Sequence, residues 1–113
     1  MERKRLSAEI RKQIWDKFNG HCAYCGCEIA LKEMQADHVI PLHRGGADEI
    51  DNLYPACRSC NYYKSTLTVE EFREQIGKWH ERLMRDDVTY KNAVRFGQVE
   101  PKPHRQTFYF EEN

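Results

Sequence analysis

Apolar residues recur at helical spacing in two segments of this 113-residue chain. In the first, Ser7 is a candidate N-cap for a set of apolar residues on one face, which predicts an amphipathic helix over residues 8–18. In the second, Thr68 opens a capping box and a longer apolar stripe follows, which predicts a helix over residues 68–85. Gly77 lowers the helical propensity of this second segment without interrupting its stripe.

The pattern between these two helices favours short strands and tight turns. Residues 28–30 and 34–40 are predicted to form two strands, and residues 53–54 a short return strand. A loop rich in glycine and turn-forming residues separates the second strand from the third. A short helix is predicted over residues 58–64.

The C-terminal extension, residues 86–113, has a less regular pattern. Within it, residues 90–96 are compatible with a helix or a strand, whereas residues 106–110 favour an aromatic strand. We expect one domain over residues 1–113 with its core at residues 20–66, since a chain of this length supports one thin hydrophobic core. Such a core usually needs an internal staple.

Charge is balanced in this chain, with 18 basic and 18 acidic residues and a formal net charge of zero. This balance weighs against nucleic-acid binding, because phosphate contacts favour a basic surface. Basic residues nevertheless gather in residues 1–20 and 91–105, and acidic residues in residues 70–87. One face of the molecule can therefore still be basic, although each run taken alone is also explained as a solvated face.

The N-terminus and the cysteine content both indicate a protein of the cytoplasm. No apolar run is long enough to span a membrane, and the charged N-terminus is not followed by the apolar stretch of a secretory signal. Five cysteines, an odd number, argue against a disulfide framework. We expect a cytoplasmic protein without a membrane partner.

Four of the five cysteines form two Cys-x-x-Cys pairs, Cys22 with Cys25 and Cys57 with Cys60. Each tight turn can place two thiolates on one ion, and two such turns complete a tetrahedron, so we predict a closed structural zinc site. Buried or redox-active cysteines are the less favoured alternative. Cys27 is expected to pack as a small apolar residue, with replacement of Cys25 as a ligand as the second option.

The segment between the two cysteine pairs combines residues that rarely occur together by chance. It contains Asp37-His38, then a Gly-Gly pair and Asn52, and Asn61 directly follows the last cysteine. This layout resembles the HNH endonuclease family of the ββα-metal fold, in the subgroup whose catalytic hairpin lies between two Cys-x-x-Cys pairs. The resemblance covers residues 22–66 closely and the flanks hardly at all.

The resemblance implies a role for each of these residues in phosphodiester hydrolysis. His38 would be the general base on the attacking water, a task for which an imidazole is suited near neutral pH. Asp37 and Asn61 would hold one divalent cation, and Asn52 would orient His38 by hydrogen bonding through the loop. Oxygen donors alone favour hard ions, so the catalytic cation is expected to be Mg²⁺ or Mn²⁺ rather than a second zinc.

Two positions depart from the family pattern and leave the number of metal ligands open. Asn61 stands where the family name has its last histidine, and Ser65 stands where many relatives place a further histidine ligand. Strand geometry raises a separate question, because adjacent residues on a regular strand point to opposite faces. Asp37 and His38 can share a site only if the strand ends, twists or bulges there.

Three basic residues near the motif are candidate phosphate contacts, namely His43, Arg44 and Lys64. An exposed loop explains His43 and Arg44 nearly as well. Lys64 lies three residues after Asn61 and hence on the same side of a short helix, but a solvated lysine is the commoner case.

These expectations together define an α+β fold, a ββα-metal motif stapled by zinc and flanked by an N-terminal helix and a longer C-terminal helix. The favoured function is a metal-dependent endonuclease acting on DNA, with RNA as a further substrate class, as a monomer or a dimer. A non-catalytic zinc-ribbon module that binds nucleic acid and a protein-interaction adaptor are the alternatives. The trio of Asp37, His38 and Asn61 favours the enzyme, whereas the net charge of zero favours the adaptor.

Overall fold

A computed structural model describes residues 6–102 and 106–113 of the chain. These residues form helices α1 (Ala8–Asp16), α2 (Arg58–Lys64), α3 (Val69–Gly77), α4 (Trp79–Asp86), α5 (Val88–Arg95) and α6 (Tyr109–Glu112), and strands β1 (Gln35–His38) and β2 (Leu53–Ala56). The combination of helices with a small two-stranded sheet confirms the predicted α+β class. None of the described helices is long and apolar enough to cross a membrane.

The chain divides into two compact units. The first is the described part of Met1–Val69 together with Thr107–Asn113, and the second is the described part of Glu70–Gln106. The whole candidate site lies in the first unit. The single domain expected over residues 1–113 stays a prediction.

Helix α1 begins where its cap predicts and ends two residues early. The side-chain oxygen of Ser7 accepts the backbone N–H of Ile10 at 3.1 Å, and Ile14 is fully buried. The expected stop signal is found just beyond the helix, where Asn19 and Gly20 both take positive φ, at 52° and 81°. These left-handed residues turn the chain towards the first cysteine pair.

Strands β1 and β2 form an antiparallel hairpin in which Asp37 lies opposite Tyr54. Strand β1 is shorter than the predicted strand over residues 34–40, and the strand predicted over residues 28–30 is reduced to a single bridge between His21 and Glu28. Strand β2 runs on through Pro55, beyond the predicted stop. A proline is tolerated there because a two-stranded sheet has only edge strands.

Helix α2 has the bounds that its sequence predicts. Its N-cap is Cys57, whose Sγ accepts the backbone N–H of Cys60 at 3.4 Å. The second cysteine pair therefore serves as the first turn of this helix. Everything on α2, including Asn61 and Lys64, is positioned relative to the cysteine cluster.

The long helix predicted over residues 68–85 is interrupted, so that α3 and α4 are separate helices. The break falls after Gly77, where Lys78 donates its N–H to the carbonyl of Gln75 in a tighter turn. Glycine is a poor helix former, so its presence outweighs the apolar stripe here. Residues 90–96, which the sequence left open between a helix and a strand, lie largely in helix α5.

The aromatic strand predicted over residues 106–110 is wrong, because α6 begins inside it at Tyr109. The carboxylate of Glu111 accepts the backbone N–H of Phe108 at 2.9 Å, which is a helix-start contact. Phe108 is 2% exposed and packs edge-on against Tyr24 with ring centroids 5.5 Å apart. The C-terminal segment is therefore fastened over the first cysteine pair.

Candidate functional site

The four cysteines of the two Cys-x-x-Cys pairs converge on one point. Their sulfur atoms all lie within 4.8 Å of one another, and the Sγ atoms of Cys25 and Cys57 are 3.8 Å apart. Four thiolates about 2.3 Å from a zinc ion at tetrahedral corners would lie about 3.8 Å from one another. The cluster therefore fits the predicted zinc site, with all four ligand positions filled by protein.

Hydrogen bonds already favour a thiolate in this cluster. The thiol of Cys60 lowers the pKa of Cys22 to about 4 against the effect of burial, and backbone N–H groups add to this. One of these is the N–H of Tyr24, which lies 3.4 Å from Cys22 Sγ. The same hydrogen bond, together with burial, raises the pKa of Cys60, and burial raises the pKa of Cys25. Because the thiolate is the form that binds metal, Cys22 is the ligand most readily available to an ion.

Cys27 lies outside the cluster, and the expectation that it packs as an apolar residue is wrong because its side chain is exposed. Gly26, beside it, is required for two reasons. Its φ is +81°, and a Cβ there would lie 2.6 Å from the ring of Tyr109. This glycine lets the first knuckle turn and lets the C-terminal segment pack against it.

A cavity of about 230 Å³ lies beside β1 and α2. It is lined by Ala36, Asp37, His38, Pro41, Leu42, His43, Asn61, Ser65 and Thr66. Three of the predicted catalytic residues, Asp37, His38 and Asn61, thus share one cavity. Strand β1 ends at His38, which is the strand end that two adjacent residues need in order to face the same site.

Asp37 is almost fully buried, with 4% of its surface exposed, and it accepts from two buried donors. The hydroxyl of Tyr24 lies 2.5 Å from its Oδ2, and the ammonium of Lys64 lies 3.0 Å from the same oxygen. Burial raises the pKa of Asp37, while Tyr24 and Lys64 act in the opposite direction. Two neighbours thus hold one side of the carboxylate in place.

Lys64 is the largest departure from expectation at this site. Its side chain is fully buried, so the reading as a solvated lysine is wrong. Besides Asp37, its ammonium donates to the backbone carbonyl of His38 at 3.0 Å. A buried ammonium needs an opposite charge and acceptors, and the Asp37-His38 pair supplies both.

Asn61 is half-buried on the first turn of α2 and lines the cavity. Its side chain has no hydrogen-bond partner among the residues that the structure describes, so the amide oxygen is available to an ion. Ser65 and Thr66 add two hydroxyl groups to the same wall. Sequence reasoning noted Ser65 only as the place of a missing histidine and did not single out Thr66.

Asn52 closes the loop that follows β1. Its side-chain amide donates to the carbonyls of Ile40 and Ala47 at 2.9 and 2.8 Å, and its oxygen accepts the N–H of Ile40. Gly46 is packed so closely that a Cβ would lie 1.8 Å from the carbonyl oxygen of Ile40. Asn52 therefore holds the loop backbone, and the hydrogen bonds of its side chain go to Ile40 and Ala47 instead of the His38 ring.

The ring of His38 has a partner that the sequence pattern did not indicate. Its Nε2 lies 2.7 Å from Oδ1 of Asp48, with the His38 side chain 11% and the Asp48 side chain 36% exposed. In the sequence, Asp48 resembles a turn former ten residues away. Only the folded loop brings the two side chains together.

The remaining basic candidates lie on the short 3-10 turn Leu42–Arg44, and both are exposed. His43 lines the cavity, whereas Arg44 is not among the lining residues. Their contact with phosphate stays a prediction.

Residues 22–66 match the model of a family described as HNH endonuclease. The match begins at the first cysteine of the cluster, Cys22, and ends at Thr66 in the wall of the cavity. It therefore covers both the metal cluster and the cavity.

Two curated relatives are similar over longer stretches. The "SPbeta prophage-derived putative HNH endonuclease YoqL" of Bacillus subtilis (strain 168) is 35% identical over 71 residues, covering 56% of this chain and 31% of the relative. The CRISPR-associated endonuclease Cas9 of Corynebacterium diphtheriae is 34% identical over 85 residues, covering 74% of this chain and 7% of the relative. The chain thus spans less than a third of either relative.

A solved structure is similar as well. The crystal structure of the type II-C Cas9 enzyme from Actinomyces naeslundii matches with a TM-score of 0.57 and 25% identity, over 67% of this chain and 9% of that chain. This likeness, together with the cysteine cluster, confirms the predicted HNH-type fold.

Proposed function

We propose that this chain is a metal-dependent endonuclease that hydrolyses phosphodiester bonds in DNA, because residues 22–66 match the model of the HNH endonuclease family. The observation that carries the proposal is the cavity shared by Asp37, His38 and Asn61. A module that only binds nucleic acid has no need of a base and two oxygen donors in one cavity.

Asp37 and Asn61 would hold the catalytic cation. A carboxylate and an amide oxygen are donors that Mg²⁺ and Mn²⁺ accept. Both contacts to Asp37 fall on Oδ2, so that Oδ1 receives no hydrogen bond from the described residues and can meet an ion. A bound cation of this kind would supply Lewis acidity to the scissile phosphate and the departing 3′ oxygen.

His38 would act as the general base. His38 lines the same cavity as the two oxygen donors, which is the arrangement that a base needs in order to take a proton from a water molecule held there. Asn52 would orient His38 indirectly, because it closes the loop that carries Asp48, and Asp48 contacts the His38 ring. Lys64 would hold Asp37 from inside the protein, and we assign it to that task instead of a phosphate contact.

Phosphates next to the scissile bond would meet His43 and Arg44. Both residues are exposed on the turn that follows the hairpin, and His43 reaches the wall of the cavity. The guanidinium of Arg44 and the imidazole of His43 would donate hydrogen bonds to the phosphates of a nucleic-acid backbone. Arg44 would supply a local positive charge in a chain whose net charge is zero.

Plasmid cleavage tests the proposal. The purified protein is expected to relax or linearise supercoiled DNA in the presence of Mg²⁺ or Mn²⁺ and to be inactive without either ion. His38→Ala is expected to lower the rate at least about a hundredfold, because a positioned base contributes about 10²–10⁴-fold. Its zinc content should equal that of the parent, since His38 is not in the cysteine cluster.

His80→Ala is the matched control. His80 is an exposed histidine outside the cavity, paired with Tyr90 at 2.7 Å, so its loss should leave cleavage unchanged. DNA and RNA strands of one sequence compared side by side would assign the substrate class. Cleavage by His38→Ala at the parental rate would overturn the mechanism, and binding of DNA without cleavage would favour the zinc-ribbon binding module.

A further inference from the structure

Asp48 contacts His38 in a geometry that limits how this ring can carry its proton. The two side chains meet at 2.7 Å between Nε2 of His38 and Oδ1 of Asp48. An ionised carboxylate has only acceptor sites, so the hydrogen in this bond belongs to Nε2. A neutral imidazole with its hydrogen on Nε2 keeps its lone pair on the other nitrogen, Nδ1.

Nδ1 is the ring nitrogen left for chemistry. It makes no hydrogen bond to any residue within 6–102 or 106–113. Asp48 is not among the residues that line the cavity, whereas His38 is. The carboxylate therefore engages the ring without occupying the space that a substrate would need.

Two contacts hold the loop backbone just before Asp48. Asn52 donates to the carbonyl of Ala47, the residue just before Asp48, at 2.8 Å. Gly46 packs against the carbonyl of Ile40 in a place where no side chain would fit. These backbone contacts set where the loop presents Asp48, and the bond to His38 holds the carboxylate itself.

A metal site is the competing reading of an Asp-His contact. In the described part of the chain, the four cysteines are the one group of three or more histidine, cysteine or acidic side chains close enough to hold an ion. His38 and Asp48 are not in it. The 2.7 Å distance between the two atoms is that of a hydrogen bond between an acid and a ring.

We propose that Asp48 is a positioning residue that fixes the ring and the tautomer of His38, so that Nδ1 is the atom that accepts a proton. The proposal deepens the proposed function and rests on it for its catalytic meaning. In the step concerned, a water O–H bond breaks as oxygen attacks phosphorus, and the proton goes to Nδ1. The P–O3′ bond breaks, and the leaving oxygen takes its proton from solvent.

The carboxylate would also act during the step itself. Once Nδ1 has taken the proton, the ring is cationic and both of its nitrogens are donors. Asp48 is then a negative partner already in hydrogen-bond contact with that cation, which stabilises it where charge develops. An acid that orients a histidine base through its far nitrogen is a known catalytic arrangement in unrelated hydrolases.

The tautomer can be measured without any reaction. Nitrogen-15 NMR of the histidine rings, at mildly alkaline pH where such rings are neutral, distinguishes a protonated ring nitrogen from one with a lone pair. We expect His38 to show a protonated Nε2 and a bare Nδ1, with its signals assigned by their absence in His38→Gln. In Asp48→Ala we expect a mixture of both tautomers.

The rate of DNA cleavage measures what Asp48 contributes to catalysis. In single-turnover reactions with saturating DNA, Asp48→Ala is expected to lower the rate about tenfold to a hundredfold, as is typical when the partner of a functional histidine is lost. DNA affinity and zinc content should stay at parental values. Asp48→Asn keeps an acceptor oxygen for Nε2 and should retain most of the rate and the parental tautomer.

Glu49→Ala is the matched control, because Glu49 is the next residue in the same loop, is also acidic and exposed, and is not the carboxylate that bonds to the His38 ring. It should match the parent in both measurements. Parental tautomer and rate in Asp48→Ala would overturn the proposal, as would an unshifted tautomer with a slow rate. If no protein cleaves DNA but Asp48→Ala changes the tautomer, the positioning of the ring stands and the proposed function fails.

Discussion

Tyr24 connects the cysteine cluster to Asp37 in the candidate catalytic cavity. It lies between Cys22 and Cys25 in the first knuckle, and its hydroxyl donates to the buried carboxylate of Asp37. Lys64 makes the equivalent link from α2, which begins at the second knuckle. The cysteine cluster thus determines where the candidate cation ligand lies, through one neutral and one charged donor.

Replacement of Tyr24 by phenylalanine tests this link. We expect Tyr24→Phe to lower the free energy of unfolding by about 1.5–3 kcal/mol, because a buried hydrogen bond to a charged group is lost. The cleavage rate should also fall about tenfold, since Asp37 keeps only one of its two donors. Urea denaturation with excess zinc and plasmid cleavage would measure the two effects.

Tyr62→Phe is the control for this prediction. Tyr62 is 75% exposed on α2, so the loss of its hydroxyl should change the free energy of unfolding by less than about 0.5 kcal/mol. Equal stability of both variants and the parent would contradict the role of the Tyr24 hydroxyl.

At the scale of elements, the loop between β1 and β2 matters more than the strands themselves. Strand β1 ends at His38, and the chain then passes through two 3-10 turns before β2 returns it. Asn52 and Gly46 close this loop, and Asp48 is carried by it. The loop therefore brings the partner of the His38 ring into place.

A methyl group at Gly46 should open the loop. Gly46→Ala places a Cβ 1.8 Å from the carbonyl oxygen of Ile40, so the backbone must move and the contacts of Asn52 must break. We expect the free energy of unfolding to fall by about 3 kcal/mol, the upper end of the usual cost of overpacking, and the cleavage rate to drop strongly. Zinc content should stay unchanged, since the cysteines lie outside this loop.

Gly45→Ala, at the preceding residue, is the control for this prediction. Gly45 has a φ of +92° but no atom within 4 Å of a Cβ, so alanine there costs only the strain of a left-handed residue, about 1–2 kcal/mol. If Gly45→Ala proved the more damaging of the two, close packing at Gly46 would not be what shapes the loop.

At the scale of the whole molecule, the cysteine cluster joins segments that are far apart in sequence. It connects the turn around Cys22 to the start of α2, and the C-terminal segment packs over the same turn through Phe108 and Tyr109. Structural zinc contributes about 10–16 kcal/mol in small domains, whereas a whole domain is stable by only about 5–15 kcal/mol. We therefore expect a zinc ion in this cluster to decide whether the first unit folds.

Zinc removal should unfold the first unit. After treatment with a zinc chelator, circular dichroism and amide exchange are expected to show loss of protection at residues 22–66, and added zinc but not magnesium should restore it. Cys25→Ser should behave like the chelated protein. Cys27→Ser should bind zinc as the parent does, since Cys27 lies outside the cluster. A chelated protein with unchanged thermal stability would rule out this role for zinc.

Local signals in the sequence determined a large part of this protein. The Cys-x-x-Cys pairs are four ligands in two tight turns, and they converge as predicted because each pair is already organised by its own turn. The bounds of α2 and the Ser7 cap are correct for the same reason, as caps depend on neighbours three residues away. The HNH resemblance indicated the trio that the cavity brings together, and their chemical roles stay predictions.

Tertiary structure alone decided the partners of Asp37 and His38. Tyr24 and Lys64 reach Asp37 from positions 13 and 27 residues away, and Asp48 reaches His38 across a folded loop. Side-chain type and spacing carry no record of such contacts, since burial depends on which segments pack together. For that reason Lys64, although lysine is usually exposed to solvent, lies in the interior of this protein. It is paired there with Asp37, which the same packing buries.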